Sequence, residues 1–308
     1  MDVLPHQYVA NTLSPFKIWW LAARPATLTA ALAPVAVGGA LALRDGQAAL
    51  LPWLAALFGA LFIQLGTNFA NDVFDFEKGA DTAARKGPLR VTQAGLVAPA
   101  QVKRAMWLAF AGATVCGAFL VSVAGVPIVW LGLASIASGI AYTGGPFPLG
   151  YLGLGDIFVF AFFGVAAVCG TYFVQTGQVS LDALLYSLPV GATCTAILVV
   201  NNLRDIDTDV TAGKKTLAVR FGARAARWEY TALWLGAMAI PLLIAGLFRA
   251  VHLALPLLLF PFVVRLVRRI WTTSDAEAFN KLLAATAKLH LFNGLLIAVS
   301  LFTAWILR

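Results

Sequence analysis

Long apolar runs separated by short polar segments dominate the chain. A helix that crosses a bilayer needs about 20 mostly apolar residues. Stretches of this kind predict nine spans, at approximately 18–43, 48–71, 103–123, 127–143, 154–175, 183–203, 227–247, 253–270 and 287–307. Near the start of the first stretch stand Arg24 and Pro25, which predict a short or broken beginning at the membrane surface. We therefore expect an all-α, polytopic membrane protein.

Composition agrees with this pattern and excludes other classes. Of 308 residues, 60% are apolar and 12% are charged, and the mean hydropathy is +0.84. A soluble domain is roughly 45–50% apolar and about 25% charged, so an ordinary soluble enzyme and a disordered chain are both excluded. The three cysteines lie in apolar stretches at wide spacing, which does not suit a disulfide scaffold. Basic residues collect on the cytoplasmic side of membrane proteins, so the net charge of +8 does not call for a nucleic acid partner.

The distribution of basic residues predicts the orientation. If the N-terminus is cytoplasmic, 19 of the 22 Lys and Arg residues fall in or beside the inside connections. The other three, Arg44, Arg249 and Arg308, fall outside. This asymmetry favours a cytoplasmic N-terminus, and nine spans then place the C-terminus outside.

Two of the inside connections carry a similar set of polar residues. In the first, Asn71 and Asp75 are four residues apart, with Asp72 between them. In the second, the same spacing links Asn201, Asp205 and Asp209. Residues i and i+4 share one face of a helix. Each connection is therefore predicted to project an amide and at least one carboxylate from the inside end of a spanning helix, and the likeness hints at an internal duplication.

Each acidic set is followed by a glycine and a basic pair. The pairs are Arg85-Lys86 and Lys214-Lys215. Facing carboxylates repel each other unless a cation lies between them, and hard oxygen ligands favour Mg²⁺, which often bridges to phosphate oxygens. The basic pairs suit a polyanion. Together these residues predict a magnesium-bound diphosphate at the membrane surface, with a lipid tail inside the bundle.

Three other interpretations remain open at this point. The polar residues could be solvated helix ends, and Asp207 in particular falls on the wrong face of the second set. An ion-coupled transporter also carries intramembrane acids, although it is expected to hold them at the midplane. The Phe residues between 158 and 163 could pack against neighbours or line a groove.

At these residues the sequence resembles the UbiA superfamily of intramembrane prenyltransferases. The resemblance rests on the segments 71–81, 87–90, 142–146 and 202–217. Within the superfamily it is most similar to the branch that prenylates 1,4-dihydroxy-2-naphthoate in menaquinone synthesis. It implies one domain over 1–308, a helical bundle around a central cavity, and an active site on the cytoplasmic side of a bacterial inner membrane. The alternative acceptor is a phenol such as 4-hydroxybenzoate.

The resemblance also implies roles for individual residues. Two Mg²⁺ ions and a polyprenyl diphosphate would be bound, and the prenyl group would replace the carboxylate of the acceptor. The implied metal ligands are Asp72, Asp75, Asp81, Asp205 and Asp209, where Asp81 would replace an acid that the family often carries at the position of Gly79. The implied catalytic residues are Asp72, Asp75, Asp205, Asp209 and Tyr142. The implied substrate-binding residues are Asn71, Arg24, Arg85, Lys86, Lys214, Lys215 and Asn201.

Overall fold

The protein is all-helical, as the apolar pattern predicts. The computed structural model describes residues 13–82, 85–247 and 249–307, so Arg308, which the orientation argument places outside, lies beyond the described residues. In order, the helices are α1 (Pro15–Ala23), α2 (Pro25–Arg44), α3 (Leu50–Glu77), α4 (Pro99–Ala124), α5 (Pro127–Ala141), α6 (Gly155–Thr176), α7 (Leu181–Arg204), α8 (Ile206–Thr211), α9 (Leu217–Leu247), α10 (Val251–Thr272) and α11 (Ala276–Ile306).

Within the described residues a helix covers each of the nine predicted spans, but fewer than nine reach spanning length. Within the described residues, eight are long and apolar enough to cross a membrane, and α5 is a shorter apolar helix of 15 residues. At a rise of 1.5 Å per residue, α5 is about 22 Å long, which explains why it falls short of a full span. The chain is a multi-pass membrane protein. Several helices are longer than the predicted spans. The apolar pattern predicts only the part of a helix inside the bilayer, whereas the helix continues into polar turns beyond it.

The first predicted span is broken, as the Arg24-Pro25 pair indicates. Arg24 separates α1 from α2 and has left-handed backbone angles, φ 51° and ψ 68°. Proline disfavours the right-handed helical conformation for the residue before it. Phe16 and Trp20 of α1 are exposed. The chain turns at Arg24, whose side chain lines the cavity inside the bundle.

Side-chain packing and close backbone contacts hold the bundle together. Buried Phe69 and Phe110 join α3 to α4, while Trp234 lies in the group that joins α7, α9, α10 and α11. A Cβ atom added to Gly164 of α6 would lie 2.6 Å from the Cα atom of Gly191 in α7. Small residues permit such close approach of membrane helices.

The two acidic sets lie at the same end of the bundle, called the site end below, where α3 ends at Glu77 and α7 ends at Arg204. Asn71 and Asp75 share the last turns of α3, as predicted. The second set differs from the prediction, because α7 ends before Asp205 and Asp209 lies in the separate short helix α8. The chain therefore bends within the second set instead of keeping it on one helical face.

Candidate active site

A cavity of about 810 Å³ opens among the helices. Along α3 its wall includes Ala56, Ala60, Ile63, Thr67, Asn71 and Asp75. These positions recur every three or four residues, and from Ala56 to Asp75 they extend about 28 Å along the helix axis. Charged and amide side chains line the cavity at the site end, and mostly apolar side chains line the rest. The shape and polarity suit a ligand with a charged head and a long apolar tail.

An irregular turn in α6 contributes aromatic side chains to this wall. Residues Phe160–Ala166 form a π-helical segment inside α6. Phe158, Phe162 and Phe163 line the cavity, and the rings of Phe158 and Phe162 stack with centroids 5.9 Å apart. The wider π turn is often found at functional sites. Of the two interpretations of the Phe run, lining a groove therefore applies to these three residues.

Asp75 lies at the centre of the polar end of the cavity. The residue is 2% exposed. Its Oδ1 atom accepts a hydrogen bond of 2.8 Å from the Tyr151 hydroxyl and lies 3.6 Å from Nζ of Lys214. Its Oδ2 atom accepts a hydrogen bond of 3.3 Å from Nη2 of Arg90. A carboxylate is stable at this depth because two hydrogen-bond donors and one ammonium group, from three different segments, surround it.

Lys214 connects the first acidic set to the second. Its Nζ atom lies 3.7 Å from Oδ1 of Asp209 as well as 3.6 Å from Oδ1 of Asp75. Burial is the main cause that raises the pKa of Asp209 to about 6; Lys214 acts against this rise, and the carboxylates of Asp205 and Asp75 contribute to it. The two acidic sets thus meet at one ammonium group.

These groups fit a magnesium ion that shares its coordination with a phosphate. In the described part of the chain, no set of three acidic, histidine or cysteine side chains is arranged to hold a metal by itself. Mg²⁺ is commonly bound by one or two carboxylates together with substrate phosphates. Asp75 and Asp209 supply hard oxygen atoms 3.6 and 3.7 Å from a position where the structure already places a positive charge, that of Lys214.

Asp205 lines the cavity but is held by its neighbour. The guanidinium of Arg204 makes two hydrogen bonds to the Asp205 carboxylate, at 2.8 and 2.6 Å. The same guanidinium donates to the side-chain oxygens of Asn201 and Asn280, both at 2.7 Å. Arg204 therefore fixes two of the predicted site residues at once.

Asp72 does not face the cavity, although the sequence assigns it to the metal site. It is 1% exposed, and its carboxylate accepts hydrogen bonds from the backbone N–H groups of Val91 and Thr92, at 3.3 and 3.1 Å. These bonds tie the connection after α3 back onto the helix. This placement gives Asp72 a structural role, and its metal and catalytic roles stay predictions.

Asp81 also lies outside the cavity wall. Its carboxylate pairs with Arg85, and its Oδ2 atom is 3.2 Å from Nε of Arg90. Arg90 in turn reaches Asp75. Asp81 is therefore placed to hold two cavity-lining arginines, and its role as a further metal ligand stays a prediction.

Two of the four predicted basic partners are directed elsewhere. Nζ of Lys86 is 2.5 Å from Oδ2 of exposed Asp207, and neither residue lines the cavity. Lys215 is exposed, and its backbone N–H donates to the carbonyl of Tyr151. Arg85 and Lys214 line the cavity. Only one member of each basic pair faces inward because neighbouring side chains point in different directions.

The polar part of the cavity wall also includes Arg24, Tyr142, Asn71 and Asn201. Nη2 of Arg24 is buried and has no hydrogen-bond partner among the residues that the structure describes. Burial lowers the pKa of Arg24 to about 10, against the opposing effect of Asp72. Oδ1 of Asn71 accepts a hydrogen bond of 3.0 Å from the Thr143 hydroxyl. The buried, unpaired guanidinium nitrogen is a ready donor for an anionic group.

Sequence analysis missed three residues that shape the site. They are Arg90, Tyr151 and Arg204, all of which line the cavity and contact a predicted acid. Arg90 and Arg204 lie in segments that carry the family resemblance. Those segments could have pointed to both residues, but only acids and pairs of basic residues were considered. Tyr151 lies outside those segments, and nothing in its local sequence singles it out.

Comparison with known proteins gives a consistent result. The profile described as the UbiA prenyltransferase family matches residues 31–305. The chain is 37% identical to the 1,4-dihydroxy-2-naphthoate octaprenyltransferase of Escherichia coli, covering 94% of this chain and 96% of that protein. It is 34% identical to the UbiA prenyltransferase domain-containing protein 1 of Mus musculus, covering 89% and 81%. In fold it is similar to a UbiA homologue from Archaeoglobus fulgidus bound to DMAPP and Mg²⁺, with a TM-score of 0.63, 13% identity, and coverage of 91% and 99%.

Proposed function

The chain belongs to the UbiA prenyltransferase family, and we propose that it transfers a polyprenyl group from a polyprenyl diphosphate to 1,4-dihydroxy-2-naphthoate. In this proposal the reaction depends on Mg²⁺, releases CO₂ and yields demethylmenaquinol, a step of menaquinone biosynthesis. As a family member the chain is an aromatic prenyltransferase, so the transporter interpretation is set aside.

One observation carries the proposal. The polar end of the cavity, which extends about 28 Å along α3, brings together the carboxylates of Asp75 and Asp209, which share the ammonium group of Lys214. Arg85 and Arg90 also line the cavity. This arrangement suits a diphosphate head among cations with its prenyl tail in the apolar part, where burial contributes about 0.8 kcal/mol per CH₂ group.

The protein side chains have defined tasks in the bond-breaking step. The allylic C–O bond breaks and the diphosphate leaves with the electron pair. Lys214, Arg85 and Arg90 are positioned to stabilise the growing negative charge on that group. When bound, magnesium ions add Lewis-acid stabilisation of the same charge. Phe158, Phe162 and Phe163 exclude water from the allylic cation and present ring faces that favour a positive charge.

The acceptor forms the new bond to the prenyl group and loses its carboxylate. Its ring carbon that bears the carboxylate attacks the allylic cation and forms the new C–C bond. The C–CO₂ bond then breaks, its electrons restore the aromatic ring, and no base is needed at that carbon. We assign Arg24 to the acceptor carboxylate because its buried Nη2 atom has no partner among the described residues, and Tyr142 to the neighbouring wall.

Sequence similarity to known relatives favours 1,4-dihydroxy-2-naphthoate as the acceptor. The similarity to the Escherichia coli enzyme covers nearly the whole of both chains. The mouse relative, which carries a different name, is also similar over most of this chain. Similarity alone therefore does not choose the acceptor, and the experiment below tests it directly. From the 19-to-3 distribution of basic residues we also propose that the site end faces the cytoplasm of a bacterium and the C-terminus faces outside.

A product assay tests the proposal. Purified protein in detergent would receive Mg²⁺, farnesyl diphosphate and equal amounts of 1,4-dihydroxy-2-naphthoate, labelled with ¹³C in the carboxyl group, and 4-hydroxybenzoate. Mass spectrometry should find a prenylated naphthalene product without the label, and EDTA should abolish it. A prenylated hydroxybenzoate as the main product would overturn the acceptor assignment and keep the reaction type.

A further inference from the structure

The connection between α5 and α6, residues 142–154 and here called the strap, is bound to the segments that follow the two acidic sets. From the side of α3, Nζ of Lys78 donates to the carbonyls of Thr143 and Gly145, at 2.6 and 3.2 Å. From the side of α9, Nη2 of Arg220 donates to the carbonyl of Leu152 at 2.7 Å. The strap therefore joins two segments that are far apart in sequence.

Tyr151 of the strap contacts the site with both its hydroxyl and its ring. The hydroxyl donates to Oδ1 of Asp75 at 2.8 Å. Nζ of Lys78 lies 5.0 Å from the ring centroid, and Nζ of Lys214 lies 4.9 Å from it. One side chain thus orients the central carboxylate and holds two ammonium groups by cation–π attraction.

The neutral hydroxyl has an advantage over a charged donor at this position. A lysine or arginine in place of Tyr151 would add a second positive charge beside Oδ1 of Asp75, where Nζ of Lys214 already lies 3.6 Å away, and would repel a divalent cation. The Tyr151 hydroxyl fixes the carboxylate without adding charge, so the hydrogen bond can persist when a cation arrives.

Lys214 faces a different requirement. Its Nζ atom lies 3.6 and 3.7 Å from oxygens of Asp75 and Asp209, in the place where a divalent cation would bind to both carboxylates. Two cations cannot share that place, so Lys214 must move its ammonium group towards the diphosphate. The Tyr151 ring is in contact with it and can retain it near the site during that movement.

We propose that Tyr151 is a positioning residue for the magnesium–diphosphate site, whose hydroxyl orients Asp75 for the metal and whose ring holds Lys214 for the diphosphate. The inference rests on the proposed function, since it assumes that Mg²⁺ and a diphosphate bind here. It predicts that the two halves of the tyrosine side chain contribute to two separable binding events.

The test compares Tyr151→Phe, Tyr151→Leu and wild type by isothermal titration in detergent. Mg²⁺ is titrated in the presence of the unreactive analogue farnesyl thiodiphosphate, and the analogue is titrated at saturating Mg²⁺. Tyr151→Phe keeps the ring, so we expect about tenfold weaker Mg²⁺ binding with analogue affinity within about twofold of wild type. Tyr151→Leu removes both features, and the analogue should then also bind about fivefold more weakly.

Tyr172→Phe is the matched control. The Tyr172 hydroxyl also donates to a carboxylate at 2.8 Å, that of Asp45, but it lies near the other end of α6. This variant should bind Mg²⁺ and the analogue as wild type does. Turnover gives a second readout, because excess Mg²⁺ should restore the kcat of Tyr151→Phe and leave the KM of Tyr151→Leu for the diphosphate raised.

Two results would overturn the inference while leaving the proposed function intact. One is wild-type Mg²⁺ affinity in Tyr151→Phe. The other is an equal loss of both affinities in Tyr151→Phe and Tyr151→Leu, which would mean that the tyrosine merely keeps the strap folded. If the wild-type protein itself binds no analogue in the presence of Mg²⁺, the proposed function fails and this inference fails with it.

Discussion

Asp75 and Asp209 share one ammonium group, that of Lys214, with oxygen–nitrogen distances of 3.6 and 3.7 Å. The two acids come from α3 and α8, which are separated in sequence by helices α4 to α7. Their shared counter-charge is the structural reason to treat the two acidic connections as one site.

Neutralising either acid should abolish the reaction. We expect Asp75→Asn and Asp209→Asn to lower kcat/KM about a hundredfold or more, because each removes a hard, charged oxygen ligand from the proposed metal site. Asp207→Asn is the matched control, since Asp207 is exposed and pairs with Lys86 away from the cavity. Steady-state turnover of the three purified variants checks this. Near-wild-type turnover of Asp75→Asn and Asp209→Asn would remove them from the site.

Asp72 should behave differently from Asp75 despite its position in the same motif. Asp72→Ala removes two acceptors from the backbone N–H groups of Val91 and Thr92, and leaving such donors unpaired costs about 1–3 kcal/mol. We expect a lower midpoint of thermal unfolding, measured in detergent. Asp72→Asn keeps an acceptor oxygen and should retain most of the Mg²⁺ affinity. A loss of Mg²⁺ binding in Asp72→Asn as large as that in Asp75→Asn would restore Asp72 as a ligand.

Arg24 should affect the acceptor and not the prenyl donor. In Arg24→Gln the guanidinium that lacks a partner among the described residues is lost, and a hydrogen bond to a charged group contributes about 1.5–3 kcal/mol. The KM for 1,4-dihydroxy-2-naphthoate should therefore rise about tenfold or more, while the KM for the diphosphate stays the same. Equal rises in both KM values, measured by varying each substrate in turn, would contradict the assignment.

The raised pKa of Asp209 predicts an acid limb in the pH profile. Burial moves this pKa from its ordinary value to about 6, so the protonated form, which cannot hold a metal, prevails below that pH. Activity at low Mg²⁺ should fall as the pH decreases through about 6. Mg²⁺ binds the ionised form alone and thus competes with the proton, so raising its concentration should shift the midpoint to lower pH. A midpoint that does not respond to Mg²⁺ would contradict this prediction.

The length of the cavity can be tested with a side chain that blocks it. Gly132 of α5 lines the cavity, and a Cβ atom added there meets no other atom within 4 Å. Gly132→Phe should therefore reduce turnover of geranylgeranyl diphosphate far more than that of geranyl diphosphate. Gly236→Phe is the control, because Gly236 is similarly open but does not line the cavity. An equal effect of Gly132→Phe on both donors would show that the tail follows another path.

The sequence by itself determined the class of the protein and the location of its chemistry. Apolar runs of spanning length predict helices whatever their neighbours are, because an apolar segment in a bilayer must satisfy its backbone hydrogen bonds internally. The acids and basic residues of the two motifs are close in sequence, so their spacing is visible without a structure. The break at Arg24 was predictable for the same reason, since it depends on the adjacent proline.

The tertiary structure alone decided which of those residues face the cavity. Asp72 and Asp75 are three residues apart on α3, and helical spacing permits both to share a face. The distinction comes from Val91, Thr92 and Tyr151, which bind one or the other carboxylate from distant segments. Such contacts depend on how the connections fold over the ends of the helices. Local spacing carries no information about that path, because it results from packing among residues that are remote in sequence.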